Sequence, residues 1–378
     1  MTLIIQSDEI LDLCNKLKSE KFICVDTEFI REKYYHPKLC LIQIGDSKGN
    51  GWAIDPLIKN INLQPLYELF LNVKILKVFH SPRQDFEIIF NILNKIPKPI
   101  FDTQSAAMAC GFGDSASYES LVNNIVNINL DKSARFTDWQ VRPLSKKQID
   151  YAISDVTHLS KIYTYLCEEM IKNNRLDWIK EEIHKFFDLS IYVTEPANAW
   201  KRIKFFSSNK ITMSVFKEIA QIREELAKSL NVPRNKIMRD DIIIKLAKNP
   251  PKDLTEFDEL RGMNLKYMNS SHKTLILKSI ETGKKNNNTD WLNNNVKNNN
   301  VSKAVIDILK IILLSCAEKY NISPLLIANR EDIKHIAQGK KDVKALKGWR
   351  YEIFGSSALK LIEGSLTLTV KDGSVIIE

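Results

Sequence analysis

Lys21-Phe22-Ile23-Cys24-Val25-Asp26-Thr27-Glu28-Phe29 is the stretch on which the fold turns. Its first half is β-branched and aromatic, the composition of a buried strand. Its second half plants two carboxylates two residues apart. Side chains alternate along a strand, so Asp26 and Glu28 share a face. Unpaired anions so placed repel and raise each other's pKa unless a cation compensates. The pair is therefore either a solvated strand end or a metal site.

Outward from this strand the signals alternate. Residues 39–44 (LCLIQI) and 51–54 form two more short strands, joined by the turn-rich run 45–50. Three strands with short connections predict an antiparallel meander. Residues 74–80 and 99–102 supply a fourth and a fifth strand, separated by helical patterns, so the sheet should finish with parallel, helix-linked strands. A mixed α/β sheet with helices on its faces is expected. Two helix starts carry Ser-x-x-Gln boxes, Ser81-Pro82-Arg83-Gln84 and Ser145-Lys146-Lys147-Gln148. After the second, Ile149, Ala152, Ile153, Val156, Leu159, Tyr163 and Leu166 recur at helical spacing and predict one helix with a buried face. Tyr151 and Asp155 fall on another face of it, an i, i+4 pair.

Beyond about residue 188 strand signals fade and helices take over. The boundaries read as 1–188 for the α/β domain, 189–283 for a helical domain, 284–300 for an Asn-rich linker (KKNNNTDWLNNNVKNNN from 284) and 301–378 for a second helical domain. The helical blocks repeat at an offset of 90: Ala227, Asn231, Ile237, Ile243 and Ala247 fall on Ala317, Asn321, Ile327, Ile333 and Ala337. After a small gap, Leu260-Arg261-Gly262 corresponds to Leu346-Lys347-Gly348. The shared order of long helix, Asn-apolar turn and short helix points to duplication.

Charge separates the same halves. Residues 1–190 carry 23 Lys and Arg against 25 Asp and Glu, a net of −2, and the remainder carries a net of +11. A basic half beside a near-neutral one suggests a polyanion-binding module. Hydrophobic residues are 44% of the chain, enough for each of two or three domains to bury a core. No apolar run approaches the roughly 20 residues of a membrane span, and residues 1–9 lack a secretory signal. Cys14, Cys24, Cys40, Cys110, Cys167 and Cys316 are scattered without a CxxC, which argues against structural zinc and for reduced thiols. A cytoplasmic protein is expected. No GxxxxGK or GxGxxG loop supports a nucleotidyl transferase.

Asp85, in the first turn of the helix after Ser81, adds a third motif to Asp-x-Glu and Tyr-x-x-x-Asp. Converging carboxylates make a hard-oxygen environment suited to Mg²⁺ or Mn²⁺. Val25-Asp26-Thr27-Glu28-Phe29, Phe79-His80-Ser81-Pro82-Arg83-Gln84-Asp85 and Tyr151-Ala152-Ile153-Ser154-Asp155-Val156 resemble the three exonuclease motifs of the ribonuclease D family, in the tyrosine subtype of the DEDD superfamily. Leu39-Cys40-Leu41-Ile42-Gln43 and the run from Thr137 to Ser145 agree. The helical blocks resemble HRDC domains (helicase-and-ribonuclease-D C-terminal), the second divergently, and the Asn-rich linker departs from the pattern.

The resemblance implies a ribonuclease H-like fold followed by two all-α HRDC-like domains. It implies a 3′-to-5′ exoribonuclease that trims RNA 3′ ends, tRNA precursors included, to nucleoside 5′-monophosphates. Asp26, Glu28, Asp85 and Asp155 would hold two divalent cations and Tyr151 would orient water. Thr27, Phe29, His80, Arg135, Trp139 and Arg142 are candidates for contact with the RNA, with Arg31 and Lys33 as weaker ones. The alternatives are a DNA-directed exonuclease, which uses the same carboxylates, and a non-catalytic nucleic-acid-binding protein. A monomer with no membrane association is expected.

Overall fold

The computed structural model describes residues 2–131, 133–134, 137–258, 265–286 and 301–378. The chain opens with β1 (Thr2–Ile4), α1 (Ser7–Leu17), β2 (Phe22–Ile30), β3 (Lys38–Gly45), β4 (Gly51–Ile54), α2 (Gln64–Leu71), β5 (Leu76–Phe79), α3 (Arg83–Leu93) and β6 (Ile100–Asp102). The six strands make one sheet in the order β1-β4-β3-β2-β5-β6. β2, β3 and β4 form the expected antiparallel meander, and β5 and β6 add in parallel beside β2. β1, three residues long and too short to signal in the sequence, pairs in parallel with β4.

The sheet is covered on both faces. Ile23, Val25, Ile42 and Ile44 pack with residues of α1, α2 and α3. Cys24, on the alternate face, packs with α4 (Thr103–Ala109), α5 (Tyr118–Leu121), α6 (Lys146–Thr157) and α7 (Leu159–Lys172). Two glycines let α6 lie close. A Cβ at Gly45 would sit 2.8 Å from the Val156 carbonyl oxygen, and one at Gly51 would sit 2.8 Å from methyl carbons of Ile153 and Thr157.

The helix starts come out differently. Ser145 and Gln148 form the complete capping box. Ser81 does not cap: its backbone is left-handed at φ 58°, its N–H donates to Asp102 Oδ1 at 2.9 Å, and its side chain takes no part in the helix start. The single helix expected from 145 onward is broken at His158 into α6 and α7.

α8 (Leu176–His184) and short 3₁₀ turns lead to the first helical module: α9 (Lys210–Ser229), α10 (Arg234–Ile237), α11 (Asp240–Lys248), α12 (Leu254–Asp258) and α13 (Ser270–Lys285). The second comprises α14 (Lys303–Tyr320), α15 (Pro324–Ile327), α16 (Arg330–Ala337), α17 (Gly348–Arg350) and α18 (Ser356–Ile362). The offset of 90 holds in three dimensions. α10 and α11 begin 90 residues before α15 and α16, and Asn231 and Asn321 are both left-handed, at φ 49° and 48°. The equivalent Ile237 and Ile327 are both in the core. Arg261 and Gly262, and most of the Asn-rich linker, lie outside the described residues. The second module is not all-α: β7 (Leu368–Lys371) and β8 (Ser374–Ile377) close it as an antiparallel hairpin around Asp372-Gly373, both with positive φ. The sequence reading missed this pair, which is short and largely exposed.

Both modules dock on the α/β domain by the same turn. Asn231 accepts from the His36 N–H at 3.1 Å, and Tyr35 donates to Glu224 at 2.6 Å. Asn321 lies against Gly111, while Arg175 donates to the Tyr320 carbonyl at 2.6 Å. The second contact is a shared core, in which Leu309, Ile312, Ile327 and Phe354 join one cluster with Val156, Ile162 and Ile179. Trp178 and Trp349 stack at 4.2 Å and 10° across it. Arg350, 1% exposed, pairs there with Glu181 and Glu182.

Candidate active site

β2 carries Asp26 and Glu28 in its second half, on the face that also holds Cys24 and is covered by α6. Asp26, Glu28 and Asp155 bring carboxylate oxygens within 4.8 Å of one another. Strand alternation turns the first two toward α6, and the glycine-lined seat of α6 lowers Asp155 onto them. Tyr151, one helical turn before Asp155, lines the same pocket with its ring 6.3 Å from Trp139. The pocket, about 500 Å³, is completed by His80, Gln104, Tyr118 and Glu119 among others. That volume suits a nucleotide.

Asp85 stands beside this cluster without an oxygen in it. It comes from α3, on the opposite face of β2, and Thr27, whose side chain alternates to that face, donates its hydroxyl to Asp85 Oδ1. The Asp26 carboxyl is raised well above the usual range, first by loss of water and then by Asp85, Asp155 and Glu28. Asp85 is pushed up to about 6 by burial, opposed by the Thr27 hydrogen bond. The charges acting on Asp26 are all acidic. Across the ladder from Asp26 stands Gln43, fully buried with both amide atoms unpartnered. A cluster of hard oxygen donors whose charges raise the Asp26 pKa, next to an orphaned amide, fits a divalent ion.

Two family profiles match the chain: 3'-5' exonuclease over residues 1–171 and HRDC domain over residues 213–276. Ribonuclease D of Jannaschia sp. (strain CCS1) is 38% identical over 98% of this chain and 98% of its own. Ribonuclease D of Bartonella henselae is 38% identical over 99% and 93%. The chain belongs to the ribonuclease D family. It is a 3′-to-5′ exoribonuclease, and its exonuclease fold implies dependence on a divalent metal. Among solved structures, the ribonuclease D of Escherichia coli superposes with a TM-score of 0.79 over 96% of this chain and 98% of that one, at 24% identity. The catalytic core of RRP6 from Trypanosoma brucei gives 0.54 over 75% and 79%, at 22%. Both share the fold. No described helix is long and apolar enough to cross a membrane.

The remaining candidates of this exoribonuclease divide sharply. His80 lines the pocket, its Nδ1 3.0 Å from the Thr103 hydroxyl and its ring edge-on to Tyr118 at 5.8 Å. Burial lowers its pKa. Thr27 is buried and donates its hydroxyl to Asp85. Phe29 is half-buried 5.9 Å beneath the Arg31 guanidinium and does not line the pocket. Trp139 is 3% exposed in the core behind Tyr151, so no ring face is open to a base. Arg142 spends its guanidinium on five hydrogen bonds, two to Asp55 and three to the carbonyls of Cys40, Trp139 and Val141, and is a structural clamp. Lys33 pairs with Asp138 at 3.4 Å. Arg135 lies outside the described residues. The sequence reading passed over Tyr118, whose hydroxyl donates to the Ser154 carbonyl at 2.8 Å and is raised well above its ordinary pKa by burial, then by Asp155. It sits on a four-residue helix with no motif of its own, and only the Ser117 cap marked the spot.

Proposed function

We propose that this exoribonuclease trims RNA 3′ ends with two divalent cations, Mg²⁺ or Mn²⁺, held by Asp26, Glu28, Asp85 and Asp155. tRNA precursors with 3′ extensions are its proposed substrates, and it works as a cytoplasmic monomer. The observation that carries this is the meeting of three carboxylates within 4.8 Å, two of which, Asp26 and Asp155, line a nucleotide-sized pocket. Bound there, the cations would supply Lewis acidity, making a water more acidic and neutralising charge on the departing 3′ oxygen.

The side chains do the rest. Asp26, whose carboxyl the fields of its acidic neighbours act on, would be a ligand together with Glu28 and Asp155. Asp85, whose Oδ1 accepts from the Thr27 hydroxyl, would supply the fourth carboxylate. Tyr151, held by Trp139 behind it, aims its hydroxyl at the attacking water. His80 and Tyr118 form an aromatic corner for the terminal nucleoside. Positioning of this kind converts binding into rate, because the attack must be in line with the leaving oxygen.

The test uses 5′-labelled RNA and DNA of one sequence, and a tRNA carrying a 3′ extension, with Mg²⁺, Mn²⁺ or EDTA. A ladder shrinking from the 3′ end of RNA, with nucleoside 5′-monophosphates as products and silence in EDTA, is expected. Activity that survives EDTA, or full activity in Asp155→Ala, would refute the assignment. Light scattering at a mass near 43.6 kDa is expected for the monomer.

A further inference from the structure

A second concavity lies away from the catalytic pocket, where the α/β domain meets the first helical module. It is about 950 Å³ and is walled by the β2–β3 connection and α3 on one side. The opposite wall is formed by residues 191–194, Arg202 and the turn joining α9 to α10. Six cations line it: Arg31, Lys38 and Arg83 from the α/β domain, Arg202, Lys228 and Arg234 from the other wall. One carboxylate, Glu87, lines it with them. Arg31 pairs with Glu87 at 2.8 Å, and Arg234 reaches Glu224 at 3.6 Å. Among the described residues, Lys38, Arg83, Arg202 and Lys228 have no carboxylate partner, and Lys38 rests only over the Tyr34 ring at 5.8 Å. The Tyr35–Glu224 and His36–Asn231 hydrogen bonds lock the two walls together, so these like charges are held facing one another.

Four uncompensated cations around one cleft repel each other unless an anion joins them. They come from four separate stretches of chain, so a run of phosphates meets them better than one phosphate does. The Tyr34 and Tyr35 rings between them offer stacking surface, the usual companion of a single-strand groove. The cleft also starts beside the chemistry. Arg31 follows directly on the end of β2, three residues beyond Glu28 and on the order of 10 Å away at the strand rise, and Arg83 is two residues before Asp85. We propose that this composite cleft is a second RNA subsite, which grips the phosphates of the single strand several nucleotides 5′ of the end being removed. The proposal rests on the exonuclease reading above. Neither wall suffices alone, so the helical module binds RNA here only while docked on the catalytic domain.

The experiment compares the full-length protein with Lys38→Gln, Arg83→Gln, Arg202→Gln and Lys228→Gln, singly and combined. Thermal melts check folding first, and the single variants, two from each wall, stand in if the combination melts early. Anisotropy in EDTA gives the affinity for 5′-labelled three- and twelve-nucleotide RNAs across a salt series, and trimming rates follow with Mn²⁺. Each substitution is expected to flatten the slope of log affinity against log salt for the twelve-mer by roughly 0.7. The combined variant should raise KM for the twelve-mer by about tenfold or more, with kcat and the three-mer changed by less than about twofold. An unchanged twelve-mer affinity and slope in a folded variant overturns the subsite. Equal losses on both lengths also overturn it, since the cations would then act at the catalytic pocket. If the unmodified protein trims neither RNA, the exonuclease reading itself fails, a different outcome from either.

Discussion

Asp26 sits among Asp85, Asp155 and Glu28, each of which raises its pKa on top of the loss of water. Asp26→Asn removes one mutually repelling charge, so the metal-free variant should melt at or above the temperature of the parent. Its turnover should fall on the order of 10³-fold or more, the several kcal/mol that metal assistance contributes. Calorimetry showing unchanged Mn²⁺ affinity in that variant would contradict the ligand role. Tyr151→Phe should behave otherwise, keeping metal affinity while losing on the order of 10²–10⁴ in rate. Asp85 makes a pH prediction for the metal-free protein. Its folded-state pKa of about 6 lies above the 3.8 of the exposed group, so folding favours the protonated form. That stabilisation is complete below about pH 3.8 and is lost as pH rises through 6. Melts in EDTA should show the decline, and Asp85→Asn should reduce it. The acids were legible in the sequence because alternation on a strand and i, i+4 spacing on a helix are local rules. The surroundings of Trp139 and Arg142 were not legible because their partners, Tyr151 and Asp55, become neighbours only on folding, and a buried aromatic or clamped arginine has no local mark.

The seat of α6 is the element that makes the site. Gly45 faces the Val156 carbonyl, and backbone cannot turn aside as a side chain can. Gly45→Ala should cost about 1–3 kcal/mol by overpacking. It should also lift Asp155 from Asp26, so metal affinity falls more than the melting temperature does. A variant that melts early yet binds Mn²⁺ normally would show that the seat does not set the metal site. Ser145→Ala removes the oxygen that accepts from the Gln148 N–H and should cost about 1 kcal/mol, with activity altered little. The two Ser-x-x-Gln boxes look alike in sequence, yet only this one forms. At Ser81 the chain must turn from β5 into α3, and Asp102 at the end of β6 captures the Ser81 N–H, so a tertiary contact overrides the local cap. The strands were legible to within about two residues where their apolar runs were four or longer. β1 and the β7–β8 hairpin were not, because their short, partly exposed runs do not differ from loop.

At the scale of the molecule, the basic half reads in the sequence as separable, and the structure makes its two modules unequal. The first meets the α/β domain largely through polar contacts, whereas the second completes a common core. Deleting residues 301–378 uncovers the apolar surface around Ile179 and Trp178 and leaves Glu182 without Lys344 and Arg350. The truncated chain should aggregate or melt well below the full protein, measured by scanning calorimetry, although every metal ligand remains. Arg350→Ala tests the same joint at one point. It removes the buried partner of the 5% exposed Glu182, which keeps Lys344 and Lys185, so the melting temperature should fall, but less than in the truncation. No sequence pattern announced this, since helical periodicity reports which face is buried and not against what.

The parallel indoles of Trp178 and Trp349 bring two strong chromophores from opposite sides of the joint within 4.2 Å. Transition dipoles held face to face at that range couple, so the intact joint has an optical signature of its own. Circular dichroism in the indole bands therefore follows the seating of the second module directly, without a label. It can separate its release from melting of the sheet, a distinction that a single unfolding temperature hides.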